Sequence, residues 1–163
     1  MAVLVIAGLL VGACGSVAAP TPSSPSAEGT IATSPSAAAS PPPQPDVVLA
    51  GSRYGAILFD GSGRTLYLFT ADGGTESHCY NACATAWPPF VITHTAIVGQ
   101  GLVQGTVSTT ARTGGAEQVV YNGHPLYYYA GDHAPGEIKC QAVVEFGGGW
   151  YVVDGNGNRI TRP

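Results

Sequence analysis

The sequence carries little charge and has no run of basic residues. Only 10% of its 163 residues are charged, with six basic and ten acidic side chains and a net charge of -4. Proteins that bind nucleic acids cluster lysine and arginine against the phosphates, so nucleic acid is not an expected partner. An anionic membrane face would not hold this chain by charge either.

The sequence also lacks an apolar run long enough for a membrane-spanning helix, which needs about 20 residues. Val3–Ala13 is an apolar run of 11 residues, the length of a signal-peptide core. It ends in small residues followed by Cys14, a pattern typical of lipoprotein signal peptides. We therefore expect a signal peptide over 1–13 and a lipid on Cys14 that anchors the protein outside the cytoplasm, with an ordinary secretory signal as the alternative.

Residues 14–46 contain eight of the 13 prolines, mixed with serine, alanine and threonine. Such a segment cannot bury enough apolar surface to offset its conformational entropy. It is predicted to be a disordered linker that follows the lipidated Cys14. The remaining residues, 47–163, are enough for one domain with its own core.

Recognisable catalytic motifs are missing as well. The sequence has no Gly-x-Ser-x-Gly elbow, no His-Glu-x-x-His and no glycine-rich phosphate loop before a helix. We therefore expect no enzyme activity and no cofactor.

Apolar, aromatic-rich runs around glycine-containing turns predict a mainly β domain. Residues 54–59 and 65–69 flank one such turn, and 118–121 and 125–129 flank Asn122-Gly123, a strong hairpin signal. A third pair, 143–146 and 150–153, flanks Gly147-Gly148-Gly149. One short helix is predicted over 81–87, before Pro88-Pro89. The expected fold is a small antiparallel β domain of duplicated hairpin units with one short helix.

The first two hairpins share the motif Tyr-x-aromatic-x-x-Asp. Its copies are Tyr67, Phe69 and Asp72, then Tyr127, Tyr129 and Asp132. In a strand, Tyr67 and Phe69 point to one face and Leu66 and Leu68 to the other. Both faces are apolar, so burial on two sides is predicted. The duplication predicts repeat units over about 52–90 and 115–154, packed about a pseudo-two-fold axis.

These motifs, with Gly55-Ala56-Ile57-Leu58, Cys79-x-x-x-Cys83-Ala84, Trp87-Pro88-Pro89 and Gln118–Tyr127, resemble the family of predicted secreted lipoproteins known as the secreted repeat of unknown function. The resemblance covers 52–154. It implies a location outside the cytoplasm and a repeat architecture, and it implies no reaction. Cys140 departs from the family's pattern.

The cysteines of the domain have two interpretations. Cys79 and Cys83 are one helical turn apart in an oxidising compartment, which favours a structural disulfide. The alternative is a metal or thiol-redox site in which His78 joins the two thiolates, since cysteine and histidine suit copper(I) or zinc. Cys140 is then a free thiol, a site of dimerisation or a competing partner.

The other candidate residues favour structural roles. His94, His124 and His133 are expected in exposed loops, and Asp60, Asp72, Asp132 and Asp154 are expected to cap turns rather than bind calcium. The aromatic residues are expected to form the core rather than a sugar-stacking face. The sequence thus predicts a non-enzymatic binding or structural module of the cell envelope whose ligand or protein partner it does not identify, with the metal or redox lipoprotein as the alternative.

Overall fold

Short antiparallel strands make up most of the structure, a computed structural model that describes residues 42–163. The strands are β1 (Val47–Ser52), β2 (Gly55–Asp60), β3 (Tyr67–Phe69), β4 (Val91–Ile92), β5 (Val107–Ala111), β6 (Glu117–Tyr121), β7 (His124–Pro125), β8 (Val143–Glu145) and β9 (Gly148–Val152), with helix α1 (Ala82–Ala86) between β3 and β4 and a 3₁₀ turn at Gln104–Thr106. The predicted signal peptide, Cys14 and most of the predicted linker lie outside the described residues. No helix within 42–163 is long and apolar enough to cross a membrane.

The strands form two copies of one unit, which we call the first repeat (47–92) and the second repeat (107–154). Each begins with an antiparallel hairpin, β1–β2 in the first and β5–β6 in the second. A turn then leads into the segment with the Tyr-x-aromatic-x-x-Asp motif, and each repeat ends in a further extended segment. The mainly β, duplicated fold predicted from the sequence is confirmed.

The last strand of each repeat pairs with a strand of the other repeat. In one sheet, β3 pairs with β9 of the second repeat, with Tyr67 opposite Val152 and Phe69 opposite Trp150. In another sheet, β6 pairs with β4 of the first repeat, with Val91 opposite Gln118. Of the three sheets, β1–β2 lies within the first repeat, whereas β3–β9–β8 and β4–β6–β5, with β7 on β6, each combine strands of both repeats.

This exchange of strands corrects the first predicted hairpin. The backbone of residues 65–69 pairs with β2 only beside the turn, through a bridge between Phe59 and Thr65 and a bond from the Leu66 N–H to the Leu58 carbonyl. From Tyr67 onward, β3 pairs with β9 instead. The partner of β2 is instead β1, a strand that was not predicted from the sequence. Strand β5 was also not predicted, because neither β1 nor β5 has a strong apolar alternation.

The second predicted hairpin is present as β6 and β7. Val120 lies opposite Pro125 and Tyr121 opposite His124. Asn122 and Gly123 form the turn with φ angles of 46° and 84°, the left-handed conformation that this dipeptide tolerates.

The third predicted hairpin has a different turn. The two-residue turn is Phe146-Gly147, with φ angles of 52° and 85°, while Gly148 and Gly149 belong to β9. A Cβ on Gly148 would lie 2.7 Å from the Phe69 ring and 2.8 Å from the Ala71 nitrogen. Gly148 therefore serves the close approach of β9 to Phe69 and Ala71, while Gly147 forms the turn.

The core lies on both faces of β3, as the alternation predicts. Tyr67 and Phe69 pack into an aromatic cluster, whereas Leu66 and Leu68 pack into an aliphatic cluster on the opposite face, and all four are buried. Because one strand borders both clusters, the duplicated motif occupies the centre of the domain.

Candidate functional site

The two motif tyrosines meet at the junction of the repeats. The Tyr67 N–H donates to the Tyr127 carbonyl at 2.9 Å, and the Tyr127 N–H donates to the Tyr67 carbonyl at 2.9 Å. Their side chains are fully buried. The reciprocal pair of bonds places the two motif strands about the pseudo-two-fold axis that the duplication predicts.

The hydroxyls of these tyrosines cross the junction. Tyr67 donates to Asp132 Oδ2 at 2.7 Å, and Tyr127 reaches Asp72 Oδ2 at 2.9 Å. Each aspartate therefore accepts from the tyrosine of the other repeat. Burial, together with the neighbouring carboxylates, raises the pKa of both tyrosines well above the usual value. They remain neutral and act as hydrogen-bond donors.

Each motif aspartate also caps its own turn. Asp132 Oδ1 accepts from the Lys139 N–H at 3.0 Å, and Asp72 Oδ1 accepts from the His78 N–H at 2.8 Å. Sequence reasoning anticipated a bond to the turn backbone but not the second bond to the distant tyrosine. Bonds to an ionised acceptor are about twice as strong as neutral ones, so these crossed bonds join the repeats firmly.

Asp60 and Asp154 each begin a turn, and Asp60 also links the repeats, because the Tyr128 hydroxyl donates to its Oδ2 at 2.9 Å. Asp60 Oδ1 accepts from the backbone N–H groups of Ser62 and Arg64, each at 2.9 Å. Asp154 Oδ1 accepts in the same way from Asn156 at 2.9 Å and Asn158 at 2.8 Å.

A stack of four aromatic rings lies beside the tyrosine pair. Phe69 stacks on Trp150 with centroids 4.1 Å apart, Trp150 stacks on Trp87 at 4.0 Å, and Trp87 meets Tyr129 at 4.8 Å. Tyr67 contacts Trp87 edge-on at 5.3 Å, and Tyr127 contacts Trp150 edge-on at 5.2 Å. The pseudo-two-fold axis thus relates Trp87 to Trp150 and Phe69 to Tyr129. Both tryptophans are fully buried, so these rings form core and not an exposed sugar-stacking face.

Glu145 accepts hydrogen bonds from both tryptophans, a role that no pattern in the sequence indicates. The Trp87 Nε1–H donates to Glu145 Oε2 at 3.1 Å, and the Trp150 Nε1–H donates to the Glu145 carbonyl at 3.3 Å. One residue of β8 therefore satisfies both indole donors of the stack.

Arg112 is a second residue that sequence reasoning missed. It is buried, and its guanidinium donates to Ser77 Oγ at 2.7 Å, Gln118 Oε1 at 2.5 Å and the Cys79 carbonyl at 2.6 Å. These acceptors are all neutral.

Ser77 connects this cation to the motif. Its Oγ lies 2.7 Å from the Tyr127 hydroxyl. Because that hydroxyl has one proton, it accepts from Ser77 while it donates to Asp72. A continuous chain of hydrogen bonds therefore joins the Arg112 guanidinium to the Asp72 carboxylate.

Cys79 and Cys83 form the predicted disulfide, with Cα atoms 5.2 Å apart at the start of α1. Both are buried in the aromatic cluster, and His78 Nδ1 accepts from the Gly73 N–H at 3.1 Å. The thiolates of the alternative metal site are thus joined to each other, and residues 42–163 contain no group of three or more metal-ligating side chains.

Cys140 has a free thiol and lies half-buried at the edge of the aromatic cluster. Burial raises the pKa of this thiol. A hydrogen bond with Cys140 is the main cause that raises the pKa of Tyr129, and both residues pack against the aromatic cluster.

An open cleft of about 340 Å³ reaches the motif from one side. It is lined by Leu68, Phe69, Thr70, Asp72, Asn122, His124, Gly157, Asn158 and Arg159, and we call it the Asp72 cleft. Asp72 is half-buried there, whereas Asp132 is buried. Burial raises the pKa of Asp72, while the bond from the His78 N–H opposes that shift.

The three loop histidines have different surroundings. His124 is half-buried in the Asp72 cleft. His94 is exposed, 2.9 Å from Asp46 Oδ1, and borders a second cavity of about 490 Å³ between β5, β6 and residues 92–96. His133 is exposed.

The repeats correspond to a known family. The family model described as a secreted repeat of unknown function matches residues 49–91 and 108–154. Each match contains the opening hairpin of its repeat, one copy of the motif and one tryptophan of the stack. No curated protein and no solved structure matches the chain.

Because Tyr67 donates to the buried Asp132 carboxylate, removal of the Tyr67 hydroxyl should lower the free energy of unfolding more than removal of another buried hydroxyl. Tyr67→Phe leaves a buried carboxylate short of a donor and should lower the free energy of unfolding by about 2–3 kcal/mol. Tyr121→Phe is the matched control, because Tyr121 is equally buried but donates to the neutral Gly155 carbonyl at 2.6 Å, and it should cost about 1 kcal/mol. Urea denaturation measures both. Equal losses in the two variants would contradict the role assigned to the crossed bond.

Proposed function

The chain belongs to the family of the secreted repeat of unknown function, and from this premise we propose that it is a lipid-anchored, non-enzymatic module that binds a small polar ligand outside the cytoplasm. The family description supports a secreted location. The anchor and the ligand are our inference from the residues.

The anchor is supported by the start of the sequence. Val3–Ala13 is an apolar run followed directly by Cys14, and the small Gly12 and Ala13 suit cleavage before a cysteine. Two or more acyl chains hold a protein stably on a membrane, whereas one is marginal. In this proposal, a lipid on Cys14 holds the module at the membrane.

The binding role is carried by the asymmetry between the two motif carboxylates. The pseudo-two-fold axis gives Asp72 and Asp132 the same tyrosine bond, yet Asp132 is buried while Asp72 lines an open cleft. A purely structural role needs no such opening. Asp72 is therefore the point at which the rigid centre of the fold reaches solvent.

The side chains of the Asp72 cleft define the chemistry of its ligand. Asp72 supplies a carboxylate, and the exposed Arg159 supplies a guanidinium that also stacks over Tyr151 at 5.4 Å. Asn122 uses its side-chain nitrogen on the Asn156 carbonyl at 2.7 Å, which leaves its amide oxygen to accept from a ligand. A small molecule with a positive group for Asp72 and a negative group for Arg159 fits this set.

The side chains behind the cleft support a binding role for Asp72 and not a catalytic one. The Tyr127 hydroxyl and Asp72 are engaged with each other, and Ser77 and Arg112 continue the chain of bonds into the core. These bonds fix the position of the Asp72 carboxylate, and a fixed carboxylate costs little entropy when a ligand binds.

The anchor predicts that Cys14 carries the lipid. Cells that express the full chain and are fed an alkynyl fatty acid should label the protein, and Cys14→Ala should abolish the label and release the protein from the membrane fraction. Cys140→Ala is the matched control and should keep both label and membrane association. A Cys14→Ala protein that is still labelled would refute the anchor.

The cleft predicts weak but specific binding of zwitterions. Alanine, added to the purified protein in the millimolar range typical of weak ligands, should shift the NMR signals of the Asn122, His124 and Asn158 amides, and Asp72→Asn or Arg159→Gln should suppress the shifts. Arg64→Gln is the control, since Arg64 stacks on Tyr128 and is not part of the cleft. No shift in the cleft, or shifts that survive Asp72→Asn, would contradict the proposed site.

A further inference from the structure

The aromatic cluster offers more than packing, because its rings form an unbroken path between two hydrogen-bonded tyrosines. Trp87 and Trp150 are nearly parallel, with an interplanar angle of 5° and centroids 4.0 Å apart. Tyr67 contacts the first and Tyr127 the second, edge-on at 5.3 Å and 5.2 Å. Both tyrosines have a carboxylate at the hydroxyl.

We propose that this cluster is a one-electron relay, in which an electron lost from Trp87 to an external one-electron oxidant is replaced by Tyr67 while the Tyr67 proton passes to Asp132. The oxidant gains the electron, the Tyr67 O–H bond breaks, and an O–H bond forms on Asp132. The products are the reduced oxidant, a neutral Tyr67 radical and a protonated Asp132. No atom enters or leaves the protein.

The proton step has the geometry it needs. The Tyr67 hydroxyl donates to Asp132 Oδ2 at 2.7 Å, so the proton moves along an existing hydrogen bond. A tyrosine that loses an electron becomes a very strong acid, and a carboxylate at this distance accepts the proton without rearrangement. Asp132 is buried, which keeps the transferred proton from exchanging quickly with water.

The electron step is favoured by the tryptophan pair and by Glu145. A positive charge that arises on Trp87 is shared with the ring stacked 4.0 Å away. The exposed Glu145 carboxylate lies 3.1 Å from the Trp87 Nε1, and a negative group at that distance stabilises a positive charge on the indole. The charge is therefore held on the tryptophans long enough for Tyr67 to donate.

Tyr129 provides the connection to the surface. It is half-buried and contacts Trp87 at 4.8 Å, whereas both tryptophans are fully buried. An oxidant in solution reaches the stack through this ring. The first copy of the motif therefore supplies the electron donor, Tyr67, and the second copy supplies the entry point, Tyr129.

Flash photolysis tests the relay directly. Photo-oxidised ruthenium tris-bipyridine is the oxidant, and transient absorption distinguishes tryptophan from tyrosine radicals in the purified protein. The wild type should form a tryptophan radical that converts into a tyrosine radical. Tyr67→Phe should remove most of the tyrosine signal and prolong the tryptophan signal. Tyr121→Phe, which lacks a buried hydroxyl outside the aromatic cluster, should behave as the wild type.

Asp132→Asn keeps an acceptor for the Tyr67 hydroxyl, loses only the one for the Lys139 N–H, and is a far poorer base, so it tests the proton step with the tyrosine bond in place. In the wild type, the conversion of the tryptophan radical into the tyrosine radical should be slower in heavy water than in ordinary water. Asp132→Asn should slow this conversion in ordinary water and should remove the difference between the two solvents. Should Tyr67→Phe fail to fold by circular dichroism, this variant decides the question. A tyrosine signal unchanged in both variants, or a wild type without any tyrosine signal, would overturn the proposal.

Discussion

The structure depends on one reciprocal contact, in which Tyr67 and Tyr127 bond to each other through the backbone and to each other's aspartate through the side chain. The contact requires both motif strands at once, so neither repeat can satisfy its own buried groups alone. An unpaired buried carboxylate or N–H is costly. The same constraint explains why β3 of the first repeat pairs with β9 of the second, and why β6 of the second repeat pairs with β4 of the first.

Within this symmetric frame, the loops that follow the two motifs have diverged. The first loop carries the disulfide and α1, and the second carries Cys140 and the β8–β9 hairpin. The cleft opens on one side only, at Asp72. Duplication thus supplies the rigid centre, while the differences between the loops supply the features from which we infer binding and electron relay. These two inferences are independent, because one concerns the open Asp72 and the other the buried Asp132.

Much of the local structure follows from the sequence because its signals are short-range. The alternation from Leu66 to Phe69 predicts two buried faces, Asn122-Gly123 predicts a tight turn, and the spacing of Cys79 and Cys83 allows a disulfide. Strand exchange could not be predicted in this way, because the two repeats have similar patterns and a strand fits either sheet equally well. The roles of Arg112 and Glu145 were also hidden, since a lone charged residue looks the same whether it lies in solvent or bonds to a distant core group.

Native-state hydrogen exchange tests the central claim most directly. The amides of Tyr67 and Tyr127 bond to each other's carbonyls, so if the repeats form one cooperative unit, both should exchange only through global unfolding. We expect equal opening free energies for the two amides, and both should match the unfolding free energy measured with denaturant. A lower opening free energy for either one would show that a repeat unfolds alone, and would contradict the account.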